Sequence, residues 1–450
     1  MAGIFKAYDV RAVYGEELNE DSAYQIGKAF SMYLGKHPKL VCARDGRAHS
    51  PRLQEAFIRG ACDAGAEVTN MGLSTSPMCY FACFTDEFDG AAVITASHNS
   101  GEYNGIKMTR EKAIPLSYED GMSQIEDAYR SGKAAAYQSD RKGQVVEADY
   151  RQAYLEFLWS NLKTDKPFHY AVDSGNGMGG FLIEDFLAGT KHRVEPLYWD
   201  LDFSFPNHLA NPLDFDNLKD LCNKVVEENL DFGVAFDGDA DRCFFVDDKG
   251  AVVPADILTT LIASYYLKER GPSPIVYDVR SSRVVAETIR SLGGEPIMCR
   301  VGHSFMKGAL RNADGHFGGE LAGHFYFKDF SFADSAYLTM VVVMTILAKE
   351  GKSLSEAIAP FKTYVPSGEI NYVTEKADEL LADCVNRFPG GEVLEIDGIR
   401  IDFPEWWFCL RKSNTEPLLR LVLEATQPDI LKEKVAEIDH WLTSEGASRH

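Results

Sequence analysis

Three acidic residues at alternate positions are the clearest chemical signal in the sequence. Asp237, Asp239 and Asp241 follow an apolar run, and small residues separate them. If the segment stays extended, alternate residues share one face and the three carboxylates converge. Oxygen ligands suit a hard cation, and Mg²⁺ fits better than Ca²⁺ because three carboxylates leave positions for a phosphate oxygen and water. An EF-hand is excluded because Arg242 stands where that motif requires glycine. A solvated acidic turn is the alternative, although clustered like charges repel one another without a cation.

A serine-containing loop is the second signal. Residues 95–107 read TASHNSGEYNGIK, and Ser97 follows an apolar run that predicts a strand over residues 91–95. Open α/β sheets place their chemistry at the carboxyl ends of strands, and glycines let the backbone approach a ligand. The alternative is an ordinary turn, because serine, asparagine and glycine also favour turns.

Two further loops have the residue types that bind a phosphorylated sugar. Residues 318–324 combine flexible backbone with Glu320 and His324, a set suited to sugar hydroxyls and proton exchange. His303 opens a predicted helix, where anions are favoured, although a buried structural histidine is the alternative. Residues 411–417, RKSNTEP, could cradle a phosphate, with Arg411 binding two oxygens. A basic hairpin turn is the alternative for that segment.

A glycine-rich turn at residues 175–180 matches the dinucleotide fingerprint GxGxxG, with Glu195 about 20 residues beyond it. An NAD-dependent oxidoreductase is therefore one hypothesis. It explains neither the Ser97 loop nor the three carboxylates, and a glycine-rich turn between a strand and a helix has structural reasons of its own.

The elements that must position these loops follow an α/β pattern. Apolar runs rich in β-branched residues alternate with segments of helical period in three similar rounds. We predict three related α/β domains with mixed sheets and a C-terminal α+β domain, arranged around a central cleft. The predicted domains are 1–144, 145–250, 251–368 and 369–450. Within them, residues 215–228 are predicted as a helix and residues 392–403 as a strand-like segment.

Composition limits the class of protein and its partners. The chain has 450 residues, 45% of them hydrophobic, and a net charge of -22, which disfavours nucleic acid and anionic membranes as partners. The longest apolar run, residues 337–348, predicts a buried helix because a membrane span needs roughly 20 residues. Nine cysteines without a CxxC pair are typical of a reducing compartment, so we expect a cytoplasmic protein.

The four motifs, in this order and one per predicted domain, together resemble the α-D-phosphohexomutase family. The resemblance covers essentially the whole chain, and residues 5–11 also resemble the family's N-terminal substrate-contacting segment. The third loop together with residues 301–303 is most similar to the bacterial phosphomannomutase/phosphoglucomutase branch. Ala12 and Ala322 depart from the family pattern of glycine and serine, and the hydroxyl missing at Ala322 could alter sugar selectivity.

The resemblance implies an isomerase that interconverts hexose 1-phosphate and hexose 6-phosphate of mannose or glucose through a 1,6-bisphosphate. Ser97 would be the phosphoserine and would hold Mg²⁺ with the three aspartates; glucose 1,6-bisphosphate or mannose 1,6-bisphosphate would be the activator. The implied catalytic residues are Ser97, His98, Lys107, Arg242, His303 and His324. The implied substrate-binding residues are Tyr8, Arg11, Arg280, His303, Glu320, Leu321, Ala322, Gly323, His324, Arg411, Ser413, Asn414 and Thr415. The fourth domain would be mobile and close over the cleft.

Three alternatives to this function stay open from the sequence. Phosphoglucosamine mutase is the nearest, because a similar third loop occurs there. The NAD-dependent oxidoreductase rests on residues 175–180 alone. A non-catalytic sugar-phosphate sensor would have no need for the intact serine, carboxylates and Arg242. Small-molecule sugar phosphates are the expected partners in the leading hypothesis.

Overall fold

The computed structural model describes residues 3–413 and 418–450, and these residues form four β-sheets in succession. The first sheet has the strand order β1-β5-β4-β2-β3-β6. Its region contains β1 (Val10–Val13), α1 (Glu20–Leu34), β2 (Lys39–Arg44), α2 (Ser50–Asp63), β3 (Glu67–Leu73), α3 (Ser76–Thr85), β4 (Gly90–Ile94), β5 (Tyr103–Arg110), α4 (Met122–Arg130), α5 (Lys133–Ala136) and β6 (Val145–Glu147).

The second and third sheets have the orders β11-β10-β9-β7-β8 and β13-β12-β14-β15-β16. The second region contains α6 (Arg151–Asn161), β7 (His169–Asp173), α7 (Gly180–Ala188), β8 (Arg193–Leu197), α8 (Lys219–Glu227), β9 (Gly233–Phe236), β10 (Cys243–Val246) and β11 (Val252–Val253). The third contains α9 (Ala255–Arg270), β12 (Pro274–Asp278), α10 (Arg283–Ser291), β13 (Glu295–Cys299), α11 (His303–Asn312), β14 (Phe317–Gly319), β15 (Phe325–Phe327), β16 (Ala333–Asp334), α12 (Ala336–Glu350) and α13 (Leu354–Ile358).

The fourth sheet is antiparallel throughout its described pairs, with the order β18-β19-β20-β21-β17-β22. Its region contains β17 (Val365–Val373), α14 (Ala377–Arg387), β18 (Glu392–Leu394), β19 (Ile399–Asp402), β20 (Trp406–Lys412), β21 (Leu418–Ala425), α15 (Pro428–Ser444) and β22 (Ser448–Arg449). The prediction of three α/β domains and one α+β domain is confirmed.

The first three sheets share one arrangement that explains where the loops lie. In each, a buried strand (β4, β9 or β14) pairs in parallel with a neighbour on one side and antiparallel with the next strand of the chain on the other. Every residue of these three strands is buried, as expected where both faces of a sheet are covered. The connection after each buried strand is the Ser97 loop, the aspartate loop or the 320–324 loop, so three of the loops singled out in the sequence occupy equivalent places in the three sheets.

Strand pairing corrects several sequence predictions by a few residues. β6 pairs with β3 and β11 with β10, so the first two sheets extend past the predicted boundaries at 144 and 250. β17 pairs with β21 from Val365 onward, so the fourth sheet begins before residue 369. Residues 392–403 form two strands rather than one, because Gly398 has a φ of 74° between them. Residues 215–218 form a 3₁₀ turn that precedes α8.

Apolar packing joins the first three domains, and the fourth has a core of its own with a small apolar contact to the third. One continuous cluster runs from α3 through the second sheet to α12 and α13, and a separate cluster lies between the fourth sheet and its helices. Val279 of the third domain packs with Trp407, Cys409 and Val422 of the fourth. The predicted helix over residues 337–348 is α12, and its residues from Ala336 to Leu347 are buried on all sides. Within the described residues, no helix combines the length and apolarity needed to cross a membrane.

Candidate active site

The Ser97 loop connects β4 to β5, and one buried arginine stabilises its backbone. Ser97 is fully buried and has a φ of 50°, in the left-handed region. The buried guanidinium of Arg47 donates to the carbonyl oxygens of Ser97 at 2.9 Å, Asn99 at 2.7 Å, Ser100 at 2.6 Å and Tyr103 at 3.0 Å. Because the guanidinium satisfies four loop carbonyls at once, Arg47 determines the shape of this loop. The sequence analysis missed Arg47, which lies 50 positions from Ser97.

We expect Arg47→Lys to lower the free energy of unfolding by about 2–4 kcal/mol, because one ammonium cannot replace these hydrogen bonds and buried carbonyls lose their donors. Urea unfolding monitored by circular dichroism measures the change. Arg52→Lys is the control, since Arg52 is exposed on α2, the helix that follows Arg47 in the chain. Equal stability of the Arg47 variant and the parent would contradict the assigned role.

The aspartate loop connects β9 to β10, and its conformation differs from the prediction. The segment does not stay extended, because it turns after Phe236 and Ala240 has a φ of 61°. The turn nevertheless gathers Asp237, Asp239 and Asp241, all buried, so that one oxygen from each lies within 4.8 Å of the others. The convergence therefore arises from a tight turn and not from the alternation of a strand.

The serine loop and the aspartate loop are in direct contact. The Ser97 hydroxyl donates to Asp237 Oδ2 at 2.8 Å, across a separation of 140 positions. A Cβ on Gly238 would lie 2.2 Å from the Ser97 carbonyl oxygen, so only glycine allows this approach. The other oxygen of Asp237 accepts the backbone N–H groups of Asp241 and Arg242 at 3.1 and 3.0 Å.

Two side chains of the first domain reach into the aspartate loop. Lys107 Nζ lies 2.6 Å from Asp239 Oδ2 and 2.6 Å from Asp241 Oδ2. Burial opposes its charge, but the two carboxylates outweigh burial and raise the pKa of Lys107 well above its usual value. Ser76, at the start of α3, also donates its hydroxyl to Asp239 Oδ2 and its N–H to the Asp239 carbonyl. Ser76 was missed in the sequence, where nothing marks it.

The donor set of this loop fits a divalent cation. Asp239 Oδ1 is buried and has no hydrogen-bond partner within the part of the chain that the structure describes, whereas Asp241 Oδ1 has ion-pair contacts to His324 and Arg242 at 3.4 and 3.9 Å. Unpaired carboxylate oxygens are costly away from water. Burial raises the pKa of Asp237 well above its usual value, and the neighbouring Asp241 and Asp239 add to this effect. A hard cation with oxygen ligands would relieve both problems.

Three histidines surround the contact between the two loops and differ in charge. His98 Nδ1 lies 3.3 Å from Ser97 Oγ, and the ring of His303 lies 5.9 Å from that of His324. Desolvation and nearby cations lower the pKa values of His98 and His303 well below the usual range, so both are neutral near pH 7. Burial and Arg242 also lower the pKa of His324. The neighbouring Asp241 and Glu320 outweigh them and raise the pKa of His324 to about 9.

His324 is tied into the site on both ring nitrogens. Nδ1 lies 3.1 Å from Glu320 Oε2, and Nε2 lies 3.4 Å from Asp241 Oδ1 and 3.1 Å from Arg242 Nε. A β-bridge between Arg242 and His324 joins the aspartate loop to the 320–324 loop. The aspartate loop of the second domain and the 320–324 loop of the third domain are therefore in direct contact.

The raised pKa of His324 predicts a pH-dependent contribution to stability. Its folded value of about 9 exceeds the usual 6.5, so the stabilisation is complete below pH 6.5 and disappears as the pH rises through 9. We expect it to be at most about 3 kcal/mol. Urea unfolding of the parent and of His324→Gln at pH 6 and 9.5 measures it, as the difference between the two proteins should shrink at the higher pH. A difference independent of pH would contradict the charge assignment.

Two of the implied sugar-contacting residues, Tyr8 and Arg11, lie beside His303 and the serine loop. The Tyr8 hydroxyl donates to the Val301 carbonyl at 3.2 Å, and its ring packs against His303 with centroids 5.2 Å apart. Burial and Glu320 raise the pKa of Tyr8 to about 12. Arg11 donates to Asn99 Oδ1 in the serine loop at 2.7 Å. Tyr8 and Arg11 thus connect the first domain to the mouth of the site.

Two implied substrate-binding arginines, Arg280 of the third domain and Arg411 of the fourth, are each paired with a carboxylate of their own domain. Arg280 pairs with Asp278 and lies 3.9 Å from Glu320 Oε1. Asp278 Oδ2 also accepts the N–H of Leu321, and Gly323 has a φ of 85° beside the half-buried Ala322. Arg411, at the end of β20, is buried and lies 3.2 Å from Asp397 Oδ2. Ser413 follows it, whereas the predicted contacts Asn414 and Thr415 lie outside the described residues.

The glycine-rich turn at residues 175–180 has a packing role in this site. A Cβ on Gly177 would lie 2.9 Å from Gly238 Cα, and the Met178 N–H donates to the Gly238 carbonyl at 2.9 Å. The turn therefore supports the back of the aspartate loop, which explains its glycines without a dinucleotide.

Comparisons with known proteins agree with this geometry. The chain matches the phosphoglucomutase/phosphomannomutase family in all four of its domains, with alpha/beta/alpha domain I at residues 2–136, domain II at 150–250, domain III at 254–364 and the C-terminal domain at 369–440. It is 35% identical to a phosphomannomutase of Escherichia coli over 96% of this chain and 98% of that one. A phosphomannomutase of Methanocaldococcus jannaschii is 37% identical over 99% and 98% of the two chains.

The crystal structure of a phosphoglucomutase/phosphomannomutase family protein from Burkholderia thailandensis superimposes with a TM-score of 0.91 at 31% identity, covering 99% of this chain and 98% of that one. This chain is therefore similar to these proteins in both sequence and structure over nearly its full length. The chain belongs to the phosphoglucomutase/phosphomannomutase family of hexose-phosphate mutases, which are isomerases.

Proposed function

We propose that this protein interconverts hexose 1-phosphate and hexose 6-phosphate of mannose or glucose through a phosphorylated Ser97 and a hexose 1,6-bisphosphate. The observation that carries the proposal is the hydrogen bond of Ser97 Oγ to Asp237, inside a buried cluster of three carboxylates flanked by Lys107 and Arg242. A hydroxyl among carboxylates and cations is what reversible phosphoryl transfer needs.

The residues around Ser97 can accept and supply the protons that the phosphoryl transfer requires. A hydroxyl of the bound sugar phosphate attacks the phosphoryl group on Ser97, the P–O bond to Ser97 breaks, and a P–O bond to the sugar forms. The attacking hydroxyl gives its proton to a neutral imidazole, a role open to His98 and His303, while protonated His324 can supply one. After the bisphosphate turns around, its other phosphoryl group returns to Ser97.

Charge on the transferred group is compensated from two sides. Lys107 remains protonated because of its two carboxylate neighbours, so it acts as a cation and not as a base. Arg242 lies 3.8 Å from Asp237 Oδ2 and 3.9 Å from Asp241 Oδ1, close to Ser97. Mg²⁺ held by Ser97, Asp237, Asp239 and Asp241 would neutralise further charge on the phosphoryl oxygens.

Substrate binding would use the rest of the cleft. Tyr8, Arg11 and Arg280 together with residues 320–324 would contact the sugar, and Arg411 with residues 413–415 would grip the phosphate that is not transferred. The separate core of the fourth domain supports the expectation that this domain moves over the cleft. The nine free cysteines support a cytoplasmic location, and the net charge of -22 supports small-molecule partners over nucleic acid or membranes.

A substrate panel tests the proposal. The protein is assayed with Mg²⁺ and glucose 1,6-bisphosphate or mannose 1,6-bisphosphate as activator on mannose 1-phosphate, glucose 1-phosphate and glucosamine 1-phosphate. We expect conversion of the first two to their 6-phosphates. Preference for glucosamine 1-phosphate would instead support phosphoglucosamine mutase, and absence of all three conversions would overturn the proposal.

A further inference from the structure

A buried ion pair behind the catalytic cleft has no part in the chemistry described above. Lys307 Nζ lies 2.9 Å from Asp334 Oδ1, and the two side chains are only 2% and 1% exposed. Neither oxygen of Asp334 makes a hydrogen bond of good geometry to any described residue. A buried ion pair is seldom more stabilising than a well-packed apolar pair, so stability alone does not explain why Lys307 and Asp334 are paired here.

The pair links the segments that carry the two central histidines. Lys307 lies four residues after His303 on α11, so the two side chains share one face of that helix. Asp334 on β16 pairs in register with Tyr326 on β15. The Tyr326 hydroxyl donates at 2.8 Å to Glu320 Oε2, the same oxygen that lies 3.1 Å from His324 Nδ1. The pair therefore lies between the helix that begins at His303 and the residues that surround His324.

The pair also touches the other two domains of the site. The Lys307 ammonium lies 4.6 Å from the ring centre of Tyr80 on α3, and Ser76 at the start of α3 donates to Asp239. A carboxylate oxygen of Asp334 lies within 4.8 Å of ligand atoms of both Asp241 and His324. The pair thus stands where the first, second and third domains meet, directly behind the aspartate loop.

We propose that Lys307 and Asp334 form a positioning pair that holds His303, His324 and the aspartate loop at the separation needed for phosphoryl transfer. This inference rests on the proposed mutase function. Without Lys307, the Asp334 carboxylate would compete with Asp241 and Glu320 for His324. Without the charge of Asp334, the Lys307 ammonium would turn toward the remaining carboxylates. Either change displaces groups that must stay aligned with the reacting phosphoryl, while the sugar contacts made by Tyr8 and Arg11 stay in place.

Steady-state kinetics of Lys307→Met, Lys307→Arg and Asp334→Asn test the pair. We expect kcat to fall by about 30- to 100-fold in the methionine and asparagine variants with KM for hexose 1-phosphate changed by less than about threefold. Arginine keeps the charge, so Lys307→Arg should recover most of the rate. A loss of stability would also lower the apparent kcat at constant KM, because less of the enzyme is active. The active fraction is therefore titrated by phosphorylation of Ser97, and kcat is expressed per active site.

Tyr154→Phe is the matched control, because it removes a buried hydrogen bond of 2.8 Å to Ser335, the neighbour of Asp334, without touching the pair. It should leave kcat unchanged. If Lys307→Met is folded and its kcat lies within twofold of the parent, the positioning role is wrong. If Lys307→Arg is as slow as Lys307→Met, the charge of the pair is not what matters and the inference is also overturned. An inactive parent enzyme would instead contradict the proposed function.

Discussion

Replacement of Ser97 by alanine is expected to lower kcat by at least about 10⁴-fold, because the enzyme then has no oxygen to carry the phosphoryl group between half-reactions. The Ser97 hydroxyl is the one that the structure places against Asp237, at 2.8 Å. The rate is measured with glucose 1-phosphate or mannose 1-phosphate in the presence of the bisphosphate. Intact mass and peptide mapping after incubation with the bisphosphate should show one phosphoryl group on Ser97 in the parent and none in the variant.

Two further variants sharpen this experiment. Ser97 has a φ of 50°, a region that glycine adopts without strain, so Ser97→Gly removes the hydroxyl while the loop keeps its shape. Ser100→Ala is the matched control in the same loop, because the Ser100 hydroxyl donates to Glu102 Oε1 at 2.8 Å on the exposed side of the loop. Full turnover by the Ser97 variants, or phosphorylation at another residue in the parent, would exclude the phosphoserine mechanism.

Replacement of Asp239 by asparagine is expected to lower the affinity for Mg²⁺ by about 100-fold and to lower kcat by about 10³-fold. Asparagine keeps the shape of the side chain but removes one negative charge from a site in which Asp239 Oδ1 is buried and unpaired among the described residues. Isothermal titration with Mg²⁺ or Mn²⁺ on enzyme stripped with EDTA measures binding apart from catalysis. Stripping itself should stop turnover in the parent, and added Mg²⁺ should restore it.

The control for this variant is Asp216→Asn, since the Asp216 side chain is 79% exposed and pairs only with Lys219 at the surface. Metal affinity and rate should be unchanged there. An Asp239 variant that binds metal as tightly as the parent would show that the aspartate loop is not the metal site.

For the aspartate loop, the sequence pattern predicted the right arrangement of side chains from the wrong backbone conformation. The spacing of Asp237, Asp239 and Asp241 predicted their convergence, and they do converge. The expected extended backbone was wrong, because Ala240 adopts a left-handed conformation and closes a turn. Three oxygens can meet by more than one backbone path, and residue spacing alone does not distinguish these paths.

Other residues of the site had no detectable signal. Arg47, Ser76, Lys307 and Asp334 act through partners that lie far away in the sequence or in another domain, so their residue types carried no local pattern. The roles assigned to the histidines and to the sugar-contacting residues stay predictions, as do those of Asn414 and Thr415.

Sequence patterns were enough to predict the α/β class, some of the buried strands and the four loops that carry polar residues. These features follow from burial, because a strand covered on both faces must be apolar along its length and the polar loop after it stands out. The packed domains were needed to show that a serine and an aspartate 140 positions apart share a hydrogen bond, and that one arginine shapes the serine loop. Such contacts depend on how whole domains pack, whereas sequence patterns report the surroundings of one segment at a time.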